Sequence, residues 1–394
     1  MKLEGIRVLD LSQFLPGPHF TMMMSDHGAD VVRIEAPAGE PTREIGARQD
    51  NESVWFRNTH RGKRSVVLDL KDPAGLQAFM ALARDCDVIV EAFRPGVVKR
   101  LGIGYEQVRA INPRIVYCSI AAFGQTGPLA QRPAHDVSIQ AESGLVSLNL
   151  SADGAPAMPS IPSADMASSL MAMNGVLMAL LRREKTGEGD YIDISMQDSL
   201  VSWLVNVVGP VFAEDRTLVP QDERSFGGAA FYNIYACADG RHITLGGSEI
   251  KFAENLLNAL GRPDLLALCK RPPGPEQVPV KQFLAQTFGT QPLAHWEALL
   301  APLDVCWAPV KSLHEALQSP QLAAREMRLD FDIDGDPARR VTELGIPIKF
   351  QQEPGRVRPE IPALGEHTAQ VLREAGLSVE EARALANRAR SATR

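Results

Sequence analysis

The sequence predicts an α/β fold in which a parallel sheet is covered by helices on both faces. Val- and Ile-rich runs alternate with segments whose apolar residues recur at helical spacing, as is typical of strands buried on both sides. The length of 394 residues favours two domains. A hydrophobic fraction of 45% with 23% charged residues is ordinary for a globular chain that buries a large core.

The first half of the chain carries most of the strand signals. Asp72 is a predicted helix N-cap with Pro73 at the first helical position. A long helix is predicted over 163–183 and ends before Gly187; because it is apolar almost all round, we expect it to be buried. The predicted strands are 6–12, 29–35, 64–70, 87–93, 114–120 and 191–196.

The pattern changes after about Pro220 and indicates a second, smaller α/β domain. A hairpin is predicted to turn at Asp239-Gly240, and a C-terminal helix is predicted over 367–375. Further helices are predicted near 249–260, 279–288 and 293–300. The predicted organisation is a large domain over 1–220, a small domain over 225–325, and a linker with a C-terminal return to the large domain over 326–394.

Charge and cysteine usage exclude several classes of protein. A net charge of -7 argues against a nucleic-acid partner, although a local basic pocket for a phosphate-bearing ligand is compatible with it. The N-terminus opens into a strand-like run with no signal peptide, and no apolar run of about 20 residues suggests a membrane span. We therefore expect a cytoplasmic protein. Five cysteines far apart, without a CxxC pair, predict neither disulfides nor a metal site.

Binding signals concentrate at the ends of the predicted strands. No Walker A or GxGxxG motif occurs. The turn 13–20 follows the first strand, where open α/β sheets bind ligands, but it also fits a plain strand-to-helix turn. Basic residues near strand ends are either solvated or form an anion pocket, and 93–102 is the best candidate segment. These basic residues are Arg33, Lys63, Arg64, Arg94, Lys99 and Arg100.

Asp165 is the most informative acid. It lies at the head of the apolar helix, where the field of a helix N-terminus favours an ionised carboxylate that can act as nucleophile or base. His135 precedes another apolar helix and is either a general base or a partly buried neighbour of the capping Asp136. Glu249 is a third acid or an exposed carboxylate at a helix start, and Gly227-Gly228 is a flexible flap or a hairpin turn.

A series of ordered motifs runs through the chain: VLDLSQFLPGP (8–18), GADVVRIEAP (28–37), VIVEAFRPGVVKRLG (88–102), AFGQTGPL (122–129), IPSAD (161–165), KTGEGDYIDISMQD (185–198) and LGEHT (364–368). In these motifs the chain resembles the class III CoA-transferases, the family that also contains α-methylacyl-CoA racemase. The resemblance covers essentially the whole chain. It implies a large Rossmann-like domain, a smaller α/β domain, and two ring-like subunits interlocked in a homodimer, which would explain the extended Pro-rich arms.

The resemblance also implies a chemistry. Asp165 falls on the family's nucleophile, which forms a mixed anhydride with the acyl group and then an aspartyl-CoA thioester. The substrates would be an acyl-CoA and a free carboxylic acid, with no permanently bound cofactor and no metal. Gly227 and Gly228 fall on a loop over the catalytic Asp, and Glu249 is an accessory candidate. The implied CoA-binding residues are Gln13, Phe14, Arg33, Phe93, Arg94, Arg100 and Leu101.

Two alternatives stay open. A racemase would use His135 and Asp165 as bases on opposite faces of an α-carbon, and 227–235 also resembles that enzyme. The racemase, however, follows its Asp with a glycine-rich stretch, whereas MASSLMAMNG follows Asp165, and 57–65 resembles the transferases. The resemblance therefore favours a transferase. The second alternative is a non-catalytic CoA-binding subunit.

Overall fold

The structure is a computed structural model that describes residues 1–151 and 153–392. The chain divides into two compact units. Unit 1 comprises Met1–Ser143, Ser160–Leu204 and Pro320–Arg394, and unit 2 comprises Gly144–Pro159 and Val205–Ser319. The domain bounds predicted from the sequence stay a prediction; in the structure, residues 144–159 and 205–220 belong to unit 2.

A six-stranded parallel sheet forms the centre of unit 1, and all six predicted strands are confirmed to within three residues at either end. The strand order is β3-β2-β1-β4-β5-β6. Every residue of β4 and β5 is buried, which explains why these segments are nearly continuous apolar runs rather than alternating ones; Glu91 and Ser119 are their buried polar residues. The strands are β1 Arg7–Asp10, β2 Asp30–Glu35, β3 Arg64–Val67, β4 Val88–Glu91, β5 Val116–Ala121 and β6 Asp190–Ser195.

Helices connect these strands and cover the sheet. The Asp72 carboxylate accepts the N–H of Ala74 at 3.1 Å, so the predicted cap is confirmed. A short antiparallel pair, Arg48–Gln49 with Glu52–Ser53, precedes α2. The helices are α1 Pro16–Asp26, α2 Val54–His60, α3 Pro73–Arg84, α4 Val97–Leu101, α5 Tyr105–Arg109, α6 Asp136–Glu142, α7 Ser163–Thr186 and α8 Met196–Val201.

The long helix α7 has the predicted position but is not buried all round. Gly187 ends it in a left-handed conformation (φ 76°), and its N–H donates to the Arg183 carbonyl at 2.8 Å. One side of α7 packs on α1 and the sheet. Leu170, Met178 and Leu181 are exposed, so the expectation of complete burial was wrong for the single chain.

The prediction that no segment is long and apolar enough to span a membrane was also wrong, because α7 meets both criteria. In its most apolar 18-residue window, 44% of the residues are buried within the protein. A core helix of a globular protein passes the same test, and the packing of α7 on α1 and the sheet accounts for its apolar composition.

Unit 2 contains an antiparallel sheet of order β9-β8-β7. Its strands are β7 Tyr232–Ala236, β8 His242–Gly246 and β9 Trp307–Pro309. The predicted hairpin is confirmed by the pairing of β7 with β8, and the three predicted helices correspond to α10, α12 and α13. The helices are α9 Gly209–Glu214, α10 Ile250–Ala259, α11 Leu266–Cys269, α12 Val278–Phe288, α13 Leu293–Leu300 and α14 Leu313–Leu317.

The C-terminal part of the chain returns to unit 1. The Pro-rich arm is tied down by Arg57, which donates to the Pro359 carbonyl at 2.8 Å, and by the Gly62 N–H, which donates to the Glu360 carbonyl at 3.0 Å. Val371 then packs into the core beside the sheet. The elements are α15 Pro320–Ala324, β10 Arg328–Asp332 paired antiparallel with β11 Arg340–Leu344, α16 Thr368–Glu374 and α17 Val379–Ala392.

The helix α17 was not predicted from the sequence. The sequence does contain a helix-start signal there, because Ser378 and Glu381 have the spacing of a capping box. In the structure the side chain of each accepts the backbone N–H of the other. The helix is polar overall, and its contact with the core includes Ala382, which is a small residue and a weak signal of burial.

Two glycines in helices test how closely the backbone of unit 1 is packed. A Cβ on Gly75 would lie 2.1 Å from the Asp69 carbonyl oxygen, whereas a Cβ on Gly175 would first meet a methyl group of Ile192 at 3.2 Å. We expect Gly75→Ala to destabilise the protein by about 3 kcal/mol, because backbone must move. Gly175→Ala should change the free energy of unfolding by less than about 1 kcal/mol, because the higher helix propensity of alanine offsets the tight contact with Ile192. Thermal unfolding midpoints measure both, and equal midpoints would contradict the packing described.

Candidate active site

A cavity of about 620 Å³ lies at the carboxyl ends of β1, β4 and β5 in unit 1. The strand order reverses between β1 and β4, and open parallel sheets bind ligands at such a point. The wall is formed by the loops that follow these strands, by segment 130–138 and by the first turn of α7. The predicted site residues that line it are Gln13, Phe14, Phe93, Arg94, His135 and Asp165.

The first turn of α7 is capped by a carboxylate from another helix. Pro162 at the N-cap has no side-chain group that could accept a hydrogen bond. Asp136 supplies the acceptor instead: its Oδ1 accepts the N–H of Ala164 at 2.8 Å and the N–H of Asp165 at 3.1 Å. The side chain of Gln140 donates to the other oxygen of Asp136 and to the Ile161 carbonyl. The start of α6 is thereby joined to the start of α7.

This arrangement determines the charge state of Asp165. Burial, the larger cause, and the neighbouring Asp136 carboxylate together raise the pKa of Asp165 to about 7. The expectation that the helix N-terminus would favour the ionised form is therefore overturned: desolvation and a like charge outweigh the helix field. Near neutral pH, Asp165 exchanges between carboxylic acid and carboxylate.

His135 lies on the same cavity at the N-cap of α6. It is exposed in the single chain rather than partly buried, and its ring lies nearly perpendicular to the Phe14 ring, at 85°, with centroids 6.0 Å apart. Among the hydrogen bonds of the described residues, none joins His135 to Asp165. The two groups therefore face one cavity as separate functional groups, and the capping role belongs to Asp136.

The turn after β1 presents Gln13 and Phe14 to the cavity. Phe14 has a φ of 63°, in the left-handed region that residues other than glycine rarely adopt. Its N–H donates to Oε1 of Glu40 at 2.9 Å. Sequence reasoning did not identify Glu40, since a lone Glu in a Pro- and Gly-rich loop gives no signal of burial.

Arg33 lies behind this turn and not in the cavity. Its side chain is only 2% exposed and its guanidinium pairs with the carboxylates of Asp10 and Glu40. It also donates to the Ser12 carbonyl. A contact with a CoA phosphate would require breaking these buried pairs, so the geometry does not support the predicted ligand role. The guanidinium instead joins β1, β2 and the loop of Glu40.

The segment after β4 contributes Phe93 and Arg94 to the wall. The N–H of Phe93 donates to Oε2 of Glu91 at 2.8 Å, so a buried carboxylate holds the start of this loop. Arg100 and Leu101 follow on α4 and do not line the cavity; Leu101 packs against the core beside the sheet, and Arg100 is exposed. Their predicted contacts with CoA stay a prediction.

Two other basic residues of the predicted cluster serve the fold. Lys63 is completely buried and its ammonium lies 2.9 Å from Asp10. Arg64 pairs with Asp30 and Glu374, which ties β3 to α16. Instead, Arg132 lines the cavity together with Arg94 and pairs with Glu142 at 2.9 Å. Sequence reasoning missed Arg132, because it follows no predicted strand.

The remaining predicted residues belong to unit 2. The Gly228 backbone lies so close to Asp222 that a Cβ would sit 2.5 Å from its carbonyl carbon, which makes this glycine necessary for packing. Glu249 precedes α10 and lines a second cavity of about 440 Å³, together with Arg224 and Arg271. The predicted flap at Gly227-Gly228 and the accessory role of Glu249 stay predictions.

The site in unit 1 combines groups suited to acyl chemistry. The Asp165 carboxyl group, partly ionised near neutral pH, can act as nucleophile or base, and the His135 imidazole on the same cavity is a second group that can exchange a proton with a ligand. Arg94 and Arg132 offer guanidinium groups for an anionic ligand. Across residues 1–151 and 153–392, no group of three His, Cys, Asp or Glu side chains is arranged to hold a metal ion.

The sequence matches CoA-transferase family III over residues 3–368. The chain therefore belongs to this family, and it is an enzyme of the class III CoA-transferases. Its parallel sheet and mixed α/β architecture agree with a solved relative, a CAIB/BAIF family protein from Brucella suis. That structure has 28% sequence identity and a TM-score of 0.81, covering 95% of this chain and 99% of the other.

Three relatives are similar over nearly the whole chain. The succinyl-CoA:glutarate CoA-transferase of Mus musculus is 31% identical, covering 94% of this chain and 86% of the relative. The acetyl-CoA:oxalate CoA-transferase of Acetobacter aceti is 32% identical, covering 94% and 95%. The α-methylacyl-CoA racemase of Homo sapiens is 32% identical, covering 97% and 95%. The chain is thus similar both to CoA-transferases and to an acyl-CoA racemase.

The capping arrangement predicts the titration of Asp165. In the wild-type protein we expect a midpoint near 7. Asp136→Asn removes the like charge but keeps an oxygen that can cap α7, so the midpoint should fall, while burial keeps it above the ordinary value of 3.8. Carboxyl ¹³C NMR of labelled aspartate measures the midpoint, with Asp165→Asn to assign the signal. An unchanged midpoint in Asp136→Asn would contradict the proposed repulsion.

Proposed function

We propose that this enzyme transfers CoA from an acyl-CoA to a free dicarboxylic acid, with Asp165 as the nucleophile. The observation that carries the proposal is the position of Asp165: a carboxyl group with a pKa near 7 at the first turn of α7, in the wall of the large cavity. Family membership supplies the class of reaction. A carboxylate nucleophile suits this reaction, because passing CoA from one acid to another through covalent intermediates conserves the free energy of the thioester.

The first half-reaction loads the enzyme with CoA. An oxygen of the Asp165 carboxylate attacks the thioester carbonyl carbon; the C–S bond breaks, and a mixed anhydride forms while CoA leaves as a thiolate. The thiolate then attacks the Asp165 carbonyl carbon of the anhydride. The donor acid leaves as a carboxylate, and Asp165 becomes an aspartyl-CoA thioester.

The second half-reaction reverses these steps with the acceptor. The acceptor carboxylate attacks the aspartyl thioester, forms a second mixed anhydride and displaces the CoA thiolate. Attack of the thiolate on the acyl carbon of the acceptor gives the new acyl-CoA and regenerates the Asp165 carboxylate. No proton has to be taken from a carbon atom, so His135 is not needed as a base in this reaction.

The cavity wall contains groups that can hold both substrates. We propose that Phe14 and Phe93 contact the apolar parts of CoA and that Arg94 and Arg132 hold anionic groups, since both arginines line the cavity. Succinyl and glutarate groups in the name of the mouse relative, and oxalate in that of Acetobacter aceti, favour a dicarboxylic acceptor. Arg33, whose guanidinium is buried, is not assigned a ligand in this proposal.

A racemase is the second candidate, because His135 faces the same cavity as Asp165 and a racemase is among the relatives. In that reaction one of the two groups would remove the α-proton of an acyl-CoA, and the other would return a proton to the opposite face of the enolate. The Asp165–CoA adduct would not form. The two reactions can therefore be separated by their covalent intermediates.

Trapping the intermediate tests the proposed function. After incubation with succinyl-CoA and treatment with hydroxylamine, we expect a hydroxamate at Asp165, mapped by mass spectrometry. Glu91 is the internal control, because burial also raises its pKa to about 7 although it does not line the cavity. No hydroxamate should form there. Asp165→Asn should lose the adduct and lower kcat by at least about 10³-fold.

Two further measurements, combined with the trapping experiment, distinguish the alternatives. His135→Phe should lower transferase activity by less than about 10-fold, but a racemase would lose at least about 10²-fold. Exchange of the α-proton for deuterium without an Asp165 adduct would reject the transferase mechanism in favour of the racemase. CoA binding with neither result would leave a non-catalytic subunit.

We also propose that the enzyme is a homodimer of interlocked subunits in the cytoplasm. Leu170, Met178 and Leu181 lie along one side of α7 and are 40%, 66% and 69% exposed. Large apolar side chains that recur at helical spacing and stay exposed on their own chain are typical of an interface. A second copy of the chain is the partner that the family resemblance implies.

An interlocked dimer should have no stable folded monomer, because each subunit completes the other. We expect sedimentation velocity to give a dimer at all concentrations at which circular dichroism reports a folded protein. Loss of helical signal should accompany any dissociation on dilution. A folded monomer that reassociates reversibly would contradict the interlocked arrangement.

A further inference from the structure

The backbone of Phe14 is unusual for its residue type. Among the described residues, the other non-glycine residues with positive φ are the polar residues Asp50, Asn51, Asp215, Glu326, Asp334 and Glu353. Phe14 is aromatic, and its φ of 63° lies where the Cβ of an L-residue crowds the following carbonyl. It also stands in the wall of the candidate active site. Such conformations persist where the surroundings hold them.

A buried carboxylate holds Phe14 in this conformation. The Phe14 N–H donates to Oε1 of Glu40 at 2.9 Å, and the hydroxyl of Thr42 donates to the same oxygen at 3.3 Å. The other oxygen of Glu40 pairs with Arg33, and the Glu40 side chain is fully buried. Because both oxygens have donors, the carboxylate cannot turn away from Phe14 without leaving a buried donor unpaired.

The network of ion pairs that holds Glu40 in place extends to Asp10 on β1. Arg33 also donates to Asp10, which in turn accepts from Lys63 at 2.9 Å. Although burial acts in the opposite direction, the Lys63 ammonium and the Arg33 guanidinium hold the pKa of Asp10 below its usual range. The two carboxylates and two cations balance in charge. The paired opposite charges therefore offset the cost of burying the network, and each of the four side chains is held in place by its partners.

The position of the Phe14 ring depends on this backbone conformation. The ring lies nearly perpendicular to the His135 ring, with centroids 6.0 Å apart, and both side chains line the cavity that contains Asp165. A change of residue 14 to a negative φ would redirect its Cβ and move the ring. The contact between Phe14 and His135 and the shape of this part of the wall would then change together.

We propose that Glu40 is a positioning residue for the active site: it holds the N–H of Phe14, keeps residue 14 in the left-handed conformation, and thereby sets the Phe14 ring against His135. Glu40 does not line the cavity and acts through Phe14. The effect on catalysis rests on the proposed transferase function, but the positioning of the two rings does not.

A double-mutant cycle tests the proposal. Gln at position 40 has one acceptor oxygen and one NH₂ donor, so it cannot serve both Phe14 and Arg33. We expect Glu40→Gln to lower kcat/KM for succinyl-CoA and glutarate by about 10-fold or more. Glycine adopts positive φ at no steric cost. In a Phe14→Gly background, Glu40→Gln should therefore lower kcat/KM by less than about 3-fold. Equal factors in both backgrounds would overturn the proposal, because independent sites give additive effects.

Asp26→Asn is the matched control for loss of a buried carboxylate. Asp26 pairs with Arg61 through both oxygens, at 3.1 and 2.7 Å, and neither residue lines the cavity. We expect Asp26→Asn to lower the thermal midpoint to an extent comparable with Glu40→Gln, and to leave kcat/KM within about 2-fold at a temperature where both are folded. A 10-fold loss of kcat/KM in Asp26→Asn would show that Glu40 has no specific role.

An NMR measurement separates this proposal from the proposed function. The ring current of Phe14 acts on the Cε1–H of His135, observed in protein labelled at histidine and assigned with His135→Phe. We expect Glu40→Gln to move this signal and Asp26→Asn to leave it in place, whether or not the enzyme transfers CoA. A moved signal without transferase activity would reject the proposed function alone. An unmoved signal in an active enzyme would reject the positioning role alone.

Discussion

The site depends on the hydrogen bonds between the Asp136 carboxylate and the first turn of α7. These bonds satisfy two N–H groups that Pro162 cannot cap, and they join the helix that begins after His135 to the helix that carries Asp165. The same carboxylate places a negative charge beside Asp165 and adds to the rise of its pKa. One interaction therefore aligns two helices and tunes the acid that the proposed mechanism uses.

The parallel sheet places these helices at a useful point. Because the strand order reverses between β1 and β4, the chain leaves these two strands in opposite directions and opens a crevice between their loops. The turn with Phe14 and the loop with Phe93 form two walls of this crevice. A buried carboxylate holds the aromatic residue of each loop: Glu40 accepts the N–H of Phe14, and Glu91 accepts the N–H of Phe93. The loops are thus held by the interior of unit 1.

Several charged residues near the strand ends stabilise the fold rather than bind a ligand. Arg33 and Lys63 have the residue types and positions expected of an anion site, yet both point into the protein and pair with Asp10. Breaking a buried pair of this kind costs about 3–5 kcal/mol, because an unpaired charge is left in the interior. A ligand would have to repay that cost, whereas Arg94 and Arg132 line the cavity without such a requirement.

Local features of the chain were enough to predict the parallel sheet, the start of α7 and the glycine that ends it, because the spacing of apolar residues and Gly187 can be read without knowing which segments meet. The family motifs likewise made Asp165 the candidate nucleophile. The direction of each side chain depends on tertiary packing. Local sequence does not distinguish the buried Arg33 from the cavity-lining Arg94, nor does it identify Asp136 as the cap of a helix that starts 27 residues later. The raised pKa of Asp165 has the same origin: burial and the approach of Asp136 arise only when distant segments pack together.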